Sequence, residues 1–274
     1  MASTWPIHPT HGLTDAEREQ VWRTVHARGY RDEEVWSVTR DPGMRARMVK
    51  RLSGLAAQGR LLLPGCGSVT LLQEEILQGC PRVEELVCTD FAGAIEVASA
   101  HLQHPRVLWA AWDSTRLHER WSSYFDVVMP VNSVLSDCDA TNRAMIRSFC
   151  EVLRPGGHLL GLFPSIHAVQ ELYRFIPDSA RGEVAQREAV DAHERTCTWF
   201  PGDPELPRAL PQIFYTINDL RIILDEAGFD LSTLQISIDM LADAPSRPLV
   251  EHWYHIQDRR VCLWNLQIEI MKPA

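Results

Sequence analysis

The residues of this chain best suited to chemistry stand directly behind short apolar runs. Gly65-Cys66-Gly67 follows Arg60-Leu61-Leu62-Leu63-Pro64. Glycines there let backbone approach a ligand closely, and a helix starting near Thr70 would aim its free amides at that ligand. Asp90 closes Leu86-Val87-Cys88-Thr89, 23 residues beyond Gly67. A carboxylate at that place accepts hydrogen bonds from ribose hydroxyls. Asp113 lies behind Arg106-Val107-Leu108-Trp109, and Asn132 lies behind Phe125-Asp126-Val127-Val128-Met129. Open α/β sheets bind ligands at the carboxyl ends of their strands, and four polar groups in phase with four strands fit that rule.

Each of these residues also has a plainer role available. Asp90 can cap the next helix, Asp113-Ser114-Thr115 is a common turn, and Asn132 can cap the segment after it. Cys66 suits packing, with its amide toward the ligand. Two residues are candidate bases. His167 stands just after the fifth apolar run, where a solvated helix-start histidine is equally reasonable. Asp41 lies in the Asp41-Pro42-Gly43 turn, where solvent exposure is the simple expectation. His193, Trp253-Tyr254-His255, Trp22, Tyr30 and Trp36 are candidates to line an acceptor pocket, although aromatic residues more often fill a core. The His, Asp and Glu positions show no metal-ligand spacing.

The elements that must position these groups are legible as alternation. Thr14 and Glu17 have capping-box spacing ahead of a helical run with Val21, Trp22 and Val25. A second helix is expected over about Met44–Leu55, with Met44, Met48, Leu52 and Leu55 on one face. Strand-like runs then recur, the fifth being His158–Phe163, with helical stretches between most of them. That pattern calls for a parallel sheet covered on both faces. From about Ile176 to Pro211 the chain is polar and punctuated by Pro201, Pro204, Pro207 and Pro211, which reads as an inserted cap without a core of its own. Thr216 opens another helix that ends at Gly228. Strands near Ser232–Ile238 and Val261–Met271 read as a closing antiparallel pair.

Composition narrows the class further. The 274 residues are 45% hydrophobic and 23% charged, an ordinary globular balance that excludes a disordered or collagen-like chain. With 27 cationic and 36 acidic residues the net charge is −9, which argues against bulk nucleic-acid binding. The only two lysines, Lys50 and Lys272, suggest a GC-rich genome. Seven cysteines without a CxxC pair suit a reducing cytosol. No signal peptide or membrane-spanning run is visible, so a cytoplasmic protein is expected.

On these residues the chain resembles the class I S-adenosylmethionine-dependent methyltransferases, over about Arg60 to the C-terminus. Leu61–Ser68 matches that family's glycine motif, Thr89-Asp90-Phe91 its ribose-binding acid, and Trp112-Asp113-Ser114 its adenine-side acid. Arg154-Pro155-Gly156-Gly157 resembles the family's entry to the fifth strand, and Leu224–Phe229 followed by two strands resembles its ending. Two positions depart from the pattern. Leu63 stands where the family commonly has an acid, and Val69 where it commonly has a third glycine.

The resemblance implies a Rossmann-like seven-strand α/β sheet, mostly parallel with the last strand antiparallel. It implies a helical lid over residues 1–58 and a catalytic domain over 59–274. S-adenosylmethionine is the implied cofactor, bound by Pro64, Gly65, Cys66, Gly67, Asp90, Phe91, Asp113, Ser114 and Asn132. The implied reaction is methyl transfer to nitrogen, oxygen or sulfur of a small molecule in bacterial secondary metabolism, with His167 and Asp41 as candidate catalytic residues. No nucleic-acid or membrane partner is expected, and the sequence leaves the oligomeric state open. Two alternatives keep the fold. One runs a different reaction, such as base-assisted elimination with ring closure, without the donor. The other is a degenerate, non-catalytic partner subunit.

Overall fold

The computed structural model describes residues 16, 17, 20, 24, 38–131, 136–199, 210–241 and 247–274. Thr14, Val21, Trp22, Val25, Tyr30, Trp36, Asn132, Pro201, Pro204 and Pro207, singled out in the sequence, lie outside the described residues.

The first long helix, α1 (Pro42–Gly54), starts at an Asp-Pro step: Asp41 is its N-cap and Pro42 its first residue. It leads into β1 (Arg60–Pro64), α2 (Leu71–Gly79), β2 (Glu85–Asp90), α3 (Ala92–His101) and β3 (Val107–Ala111). Next come α4 (His118–Trp121), β4 (Phe125–Val128), α5 (Asp139–Val152), β5 (Leu153–Pro164) and α6 (Ile166–Tyr173). The expected inserted segment holds α7 (Arg181–Arg187), β6 (Glu188–Asp191), β7 (Thr196–Trp199) and β8 (Leu210–Ile213). The chain closes with α8 (Ile217–Glu226), β9 (Asp230–Leu241), α9 (Arg247–Tyr254) and β10 (Leu263–Met271).

Seven strands form one sheet in the order β3-β2-β1-β4-β5-β10-β9. The pairs β1/β2, β2/β3, β1/β4 and β4/β5 are parallel, whereas β10 runs antiparallel to both β5 and β9. The order reverses between β1 and β4. Such a reversal opens a crevice at the carboxyl edge of the strands.

Strand alternation sorts the core onto two faces. Leu61 and Leu63 pack with Met44, Met48, Leu52 and Ile76 of α1 and α2. Leu62 turns the other way, to Ile146 and Phe149 of α5 and Leu220 and Ile223 of α8. Met44, Leu52, Leu61 and Leu62 are fully buried, so α1 is a layer of the core. Arg47 of α1 pairs with Asp239 of β9 and Arg51 with Glu269 of β10, which fixes the helix along the sheet. Thr216 forms a capping box with Asp219 at the head of α8, and Gly228, at φ +93°, ends that helix as expected.

The inserted segment is more regular than its composition suggests. β6, β7 and β8 make a three-stranded antiparallel sheet. Its buried residues, Val184 and Cys197 among them, join clusters supplied by α6 and α9, so it borrows a core. β8 returns beside the segment after β4, where the Ile213 amide donates to the Ser136 carbonyl at 3.0 Å. Tyr215 bridges Ser165 at the end of β5. The end of β8 and the residues after it therefore lie against the segment after β4 and the end of β5. No described helix is long and apolar enough to cross a membrane.

Candidate active site

The glycine loop leaves β1 in a conformation that its sequence dictates. Gly65 and Gly67 have φ of 61° and 66°, the left-handed region where a Cβ would crowd the next carbonyl. Between them the Cys66 amide donates to the Thr89 carbonyl at 3.1 Å, tying the loop to β2. Pro64 is buried at the strand end, opposite Thr89.

Asp90 locks this arrangement. Its Oδ2 accepts the Gly67 amide at 2.7 Å, and its Oδ1 accepts the Phe91 amide at 2.7 Å. A carboxylate offers about four lone-pair positions, so two acceptor positions are left on a half-buried group. Asp90 is therefore not the cap of the next helix, whose N-cap is Phe91; it organises the loop's backbone and keeps acceptor positions open. Phe91 beside it is 40% exposed, an apolar ring presented at the strand edge.

The third strand extends the same row. The Trp112 amide donates to the Asp90 carbonyl at 3.3 Å, which carries the chain past Asp90 to Asp113. Asp113 is exposed, and its Oδ1 accepts from the Thr115 amide and hydroxyl, each at 2.8 Å. That is an Asx turn made by Oδ1; Ser114 is half-buried beside it. The loop Gly65–Gly67, Asp90, Phe91 and Asp113 thus lie in sequence along the ends of β1, β2 and β3.

The buried hydroxyls of Ser68 and Thr89 have no hydrogen-bond partner among the described residues. Ser68 directly follows the glycine loop, and an orphaned donor in that place is suited to a polar ligand. Its presence, with the free acceptor positions of Asp90, means that the residues present fit an adenosyl group bearing an amino-acid tail. Sequence reasoning passed over Ser68; its signal was a polar residue directly behind the second glycine. The departures are equally concrete. Leu63 points into the core and is 3% exposed, while Val69 is half-buried.

Burial, and then the neighbouring Cys88 thiol, push the Cys66 thiol well above its ordinary range, so it stays protonated near neutrality. None of the seven cysteines is in a disulfide.

The two candidate bases are placed differently. His167 is exposed in the first turn of α6, its amide donating to the Ser165 N-cap oxygen at 3.3 Å. It stands at the carboxyl edge of β5. Asp41, expected in solvent, is 3% exposed. Its Oδ1 caps α1 by accepting the Met44 amide, because Asp-Pro-Gly here begins a helix instead of making an open turn. His193 lies exposed in the β6–β7 turn, Trp253 and Tyr254 are buried in the core, and His255 is half-buried.

Sequence analysis also missed a buried polar network joining three segments at this edge. The Tyr215 hydroxyl donates to Asp139 Oδ1 at 2.7 Å and accepts from Asn142 Nδ2 at 3.2 Å. Asn142 accepts the Ser136 amide at 2.6 Å and donates back to its carbonyl at 3.1 Å. Ser136, Asp139 and Asn142 are neighbours in the chain, and tertiary packing brings Tyr215 to them.

The strand order is that of the class I S-adenosylmethionine-dependent methyltransferase fold. Solved structures share this fold. One is a chain of a Haloferax volcanii complex containing the Trm112 methyltransferase activator, at TM-score 0.59 and 12% identity, covering 93% of this chain and 97% of that one. Another is a SAM-dependent methyltransferase from Methanosarcina mazei, at TM-score 0.55 and 17% identity, covering 80% and 94%. A third is a Haemonchus contortus phosphoethanolamine N-methyltransferase crystallised with S-adenosyl-L-methionine, at TM-score 0.55 and 14% identity. It covers 85% of this chain, which spans 53% of that longer protein. No family model and no curated protein matches the chain.

Proposed function

We propose that this chain binds S-adenosylmethionine along the carboxyl edge of β1–β3 and transfers its methyl group to nitrogen, oxygen or sulfur of a small molecule under the insert. The observation that carries this reading is Asp90. Its carboxylate holds the left-handed glycine loop through Gly67 and keeps acceptor positions for a ribose diol.

The cofactor's sulfonium supplies an already activated methyl carbon. The acceptor's lone pair forms the new bond to that carbon as the carbon–sulfur bond breaks, and the electron pair stays on sulfur. Gly65–Gly67, Ser68 and Asp90 hold the donor's tail and ribose, Asp113 and Ser114 serve the adenine side, and Phe91 and Asn132 complete the proposed cofactor set. Alignment of the three reacting atoms and exclusion of water supply much of the rate in such a displacement. His167 accepts the acceptor's proton where one must leave. Residues 1–58 carry the lid, anchored in the core by α1. The proposed setting is the secondary metabolism of a bacterium, in its cytoplasm; the lack of disulfides among the seven cysteines suits a reducing compartment.

Leu63 favours a second reading, in which the same cavity runs a base-assisted reaction without the donor, because a core leucine occupies the place of an acid. Calorimetric titration with S-adenosylmethionine and S-adenosylhomocysteine separates the two. The first reading predicts binding to both, weakened about 10- to 100-fold in Asp90→Asn, as expected for losing charge-assisted hydrogen bonds worth ~1.5–3 kcal/mol. Absence of binding by the folded wild-type chain would overturn it.

A further inference from the structure

Glu188 opens β6 of the insert, and no part of it reaches solvent. Its Oε2 accepts from the Tyr254 hydroxyl at 3.0 Å. Oε1 is equally buried and has no hydrogen-bond partner among the described residues. A buried carboxylate is stable only when several donors surround it, whereas a neutral carboxylic acid tolerates this setting far better.

Every element packed against Glu188 offers a titratable or polar group. From α6 comes Tyr173, whose hydroxyl donates to the Glu188 carbonyl at 3.4 Å. From β7 comes the fully buried Cys197, and from α9 come Tyr254 and the Trp253 indole. From α7 comes Arg187, but its guanidinium is occupied with Glu183, with the His252 and Trp253 carbonyls at 3.3 and 3.0 Å, and with His255 Nε2 at 3.4 Å. Burial raises the Glu188 carboxyl to about 7, against the opposing pull of Tyr254, Tyr173, Trp253 and Arg187. Burial and the nearby Glu188 push Tyr173, Tyr254 and Cys197 upward, out of the neutral range.

We propose that Glu188 is a proton-controlled latch on the insert: the sealed packing against α6 and α9 holds the neutral acid, and ionisation releases the insert from those two helices. The latch belongs to the insert and is independent of donor binding.

The sign follows from linkage. The sealed state binds the proton more tightly than the opened state, in which the carboxyl returns to its ordinary 4.5. Sealing is therefore favoured at low pH, and the advantage is lost as pH rises through about 7. Between those two values the opening equilibrium grows about tenfold per pH unit, roughly 300-fold in all, and is level above them.

Hydrogen exchange of the full chain from pH 5 to 9, corrected for the intrinsic chemical rate, tests this. Peptides over Glu188–Asp191 and Thr196–Trp199 should show that rise and plateau, while peptides over β1 and β4 should not. Glu188→Gln should make the insert's opening independent of pH. A pH-independent wild-type insert, or a Gln variant that keeps the slope, would overturn the proposal. Should the variant fail to fold, carbon NMR titration of the wild-type Glu188 carboxyl decides. A midpoint near 7 supports the latch, and one below 5 refutes it.

Discussion

Replacing Asp41 separates a structural carboxylate from a catalytic one. Asp41 is buried, caps α1 through the Met44 amide and precedes Pro42 at the first helical position. Removing such a cap costs ~0.5–2 kcal/mol, and the loss of negative charge at a helix N-terminus adds about 0.3–1 kcal/mol. Met44 and Met48 of this helix are core residues, so fraying of its first turn also loosens buried packing. Asp41→Ala should therefore lower stability by about 1–3 kcal/mol, or ~2–5 °C in a chain of this size. Asp41→Asn keeps an oxygen acceptor and should lose only the charge contribution. Urea unfolding and a thermal scan at pH 7 read both variants, with cofactor titration in parallel. An Ala variant as stable as wild type would refute the cap. An Asn variant of near-normal stability whose methyl transfer falls more than 100-fold would show that Asp41 acts chemically.

Other consequences are as specific. Gly67→Ala should cost about 1–2 kcal/mol through its φ of 66° and should weaken S-adenosylhomocysteine binding at least tenfold by calorimetry. Tyr215→Phe strips a partner from both Asp139 Oδ1 and Asn142 Nδ2 and should cost ~1–3 kcal/mol in urea unfolding, with faster amide exchange at Ser136. Burial pulls the Asp219 carboxyl up, but bonds from Arg195 and Thr216 outweigh it and hold the group below its ordinary 3.8. Its stabilisation is therefore present above that value and lost as pH falls through the depressed one. Asp219→Asn should flatten that stretch of the acid-unfolding curve.

The parallel sheet was legible because its strands are apolar runs closed by polar residues: Leu61–Leu63 end at Gly65, and Leu86–Thr89 end at Asp90. The fifth strand proved longer than its apolar run. It begins at Leu153 and takes in Arg154-Pro155-Gly156-Gly157, because Gly157 accepts the Lys272 amide at 2.9 Å from the end of β10. Asp41-Pro42 read as a turn, yet the same two residues are a good N-cap and first helical position, and only the packing of Met44 decides between them. The insert looked coreless because its partners, Tyr173 on α6 and Tyr254 on α9, come from distant parts of the chain. Glu188 could not stand out for the same reason: in a polar stretch, burial comes from tertiary contacts and leaves no local pattern.

A crystal structure of the chain with S-adenosylhomocysteine tests the central claim most directly. The account predicts an extended ligand along the ends of β1–β3, with its ribose hydroxyls about 2.6–3.0 Å from Asp90 and its tail over Gly65–Ser68. An empty edge at saturating ligand, or a ligand bound away from Asp90, would contradict it.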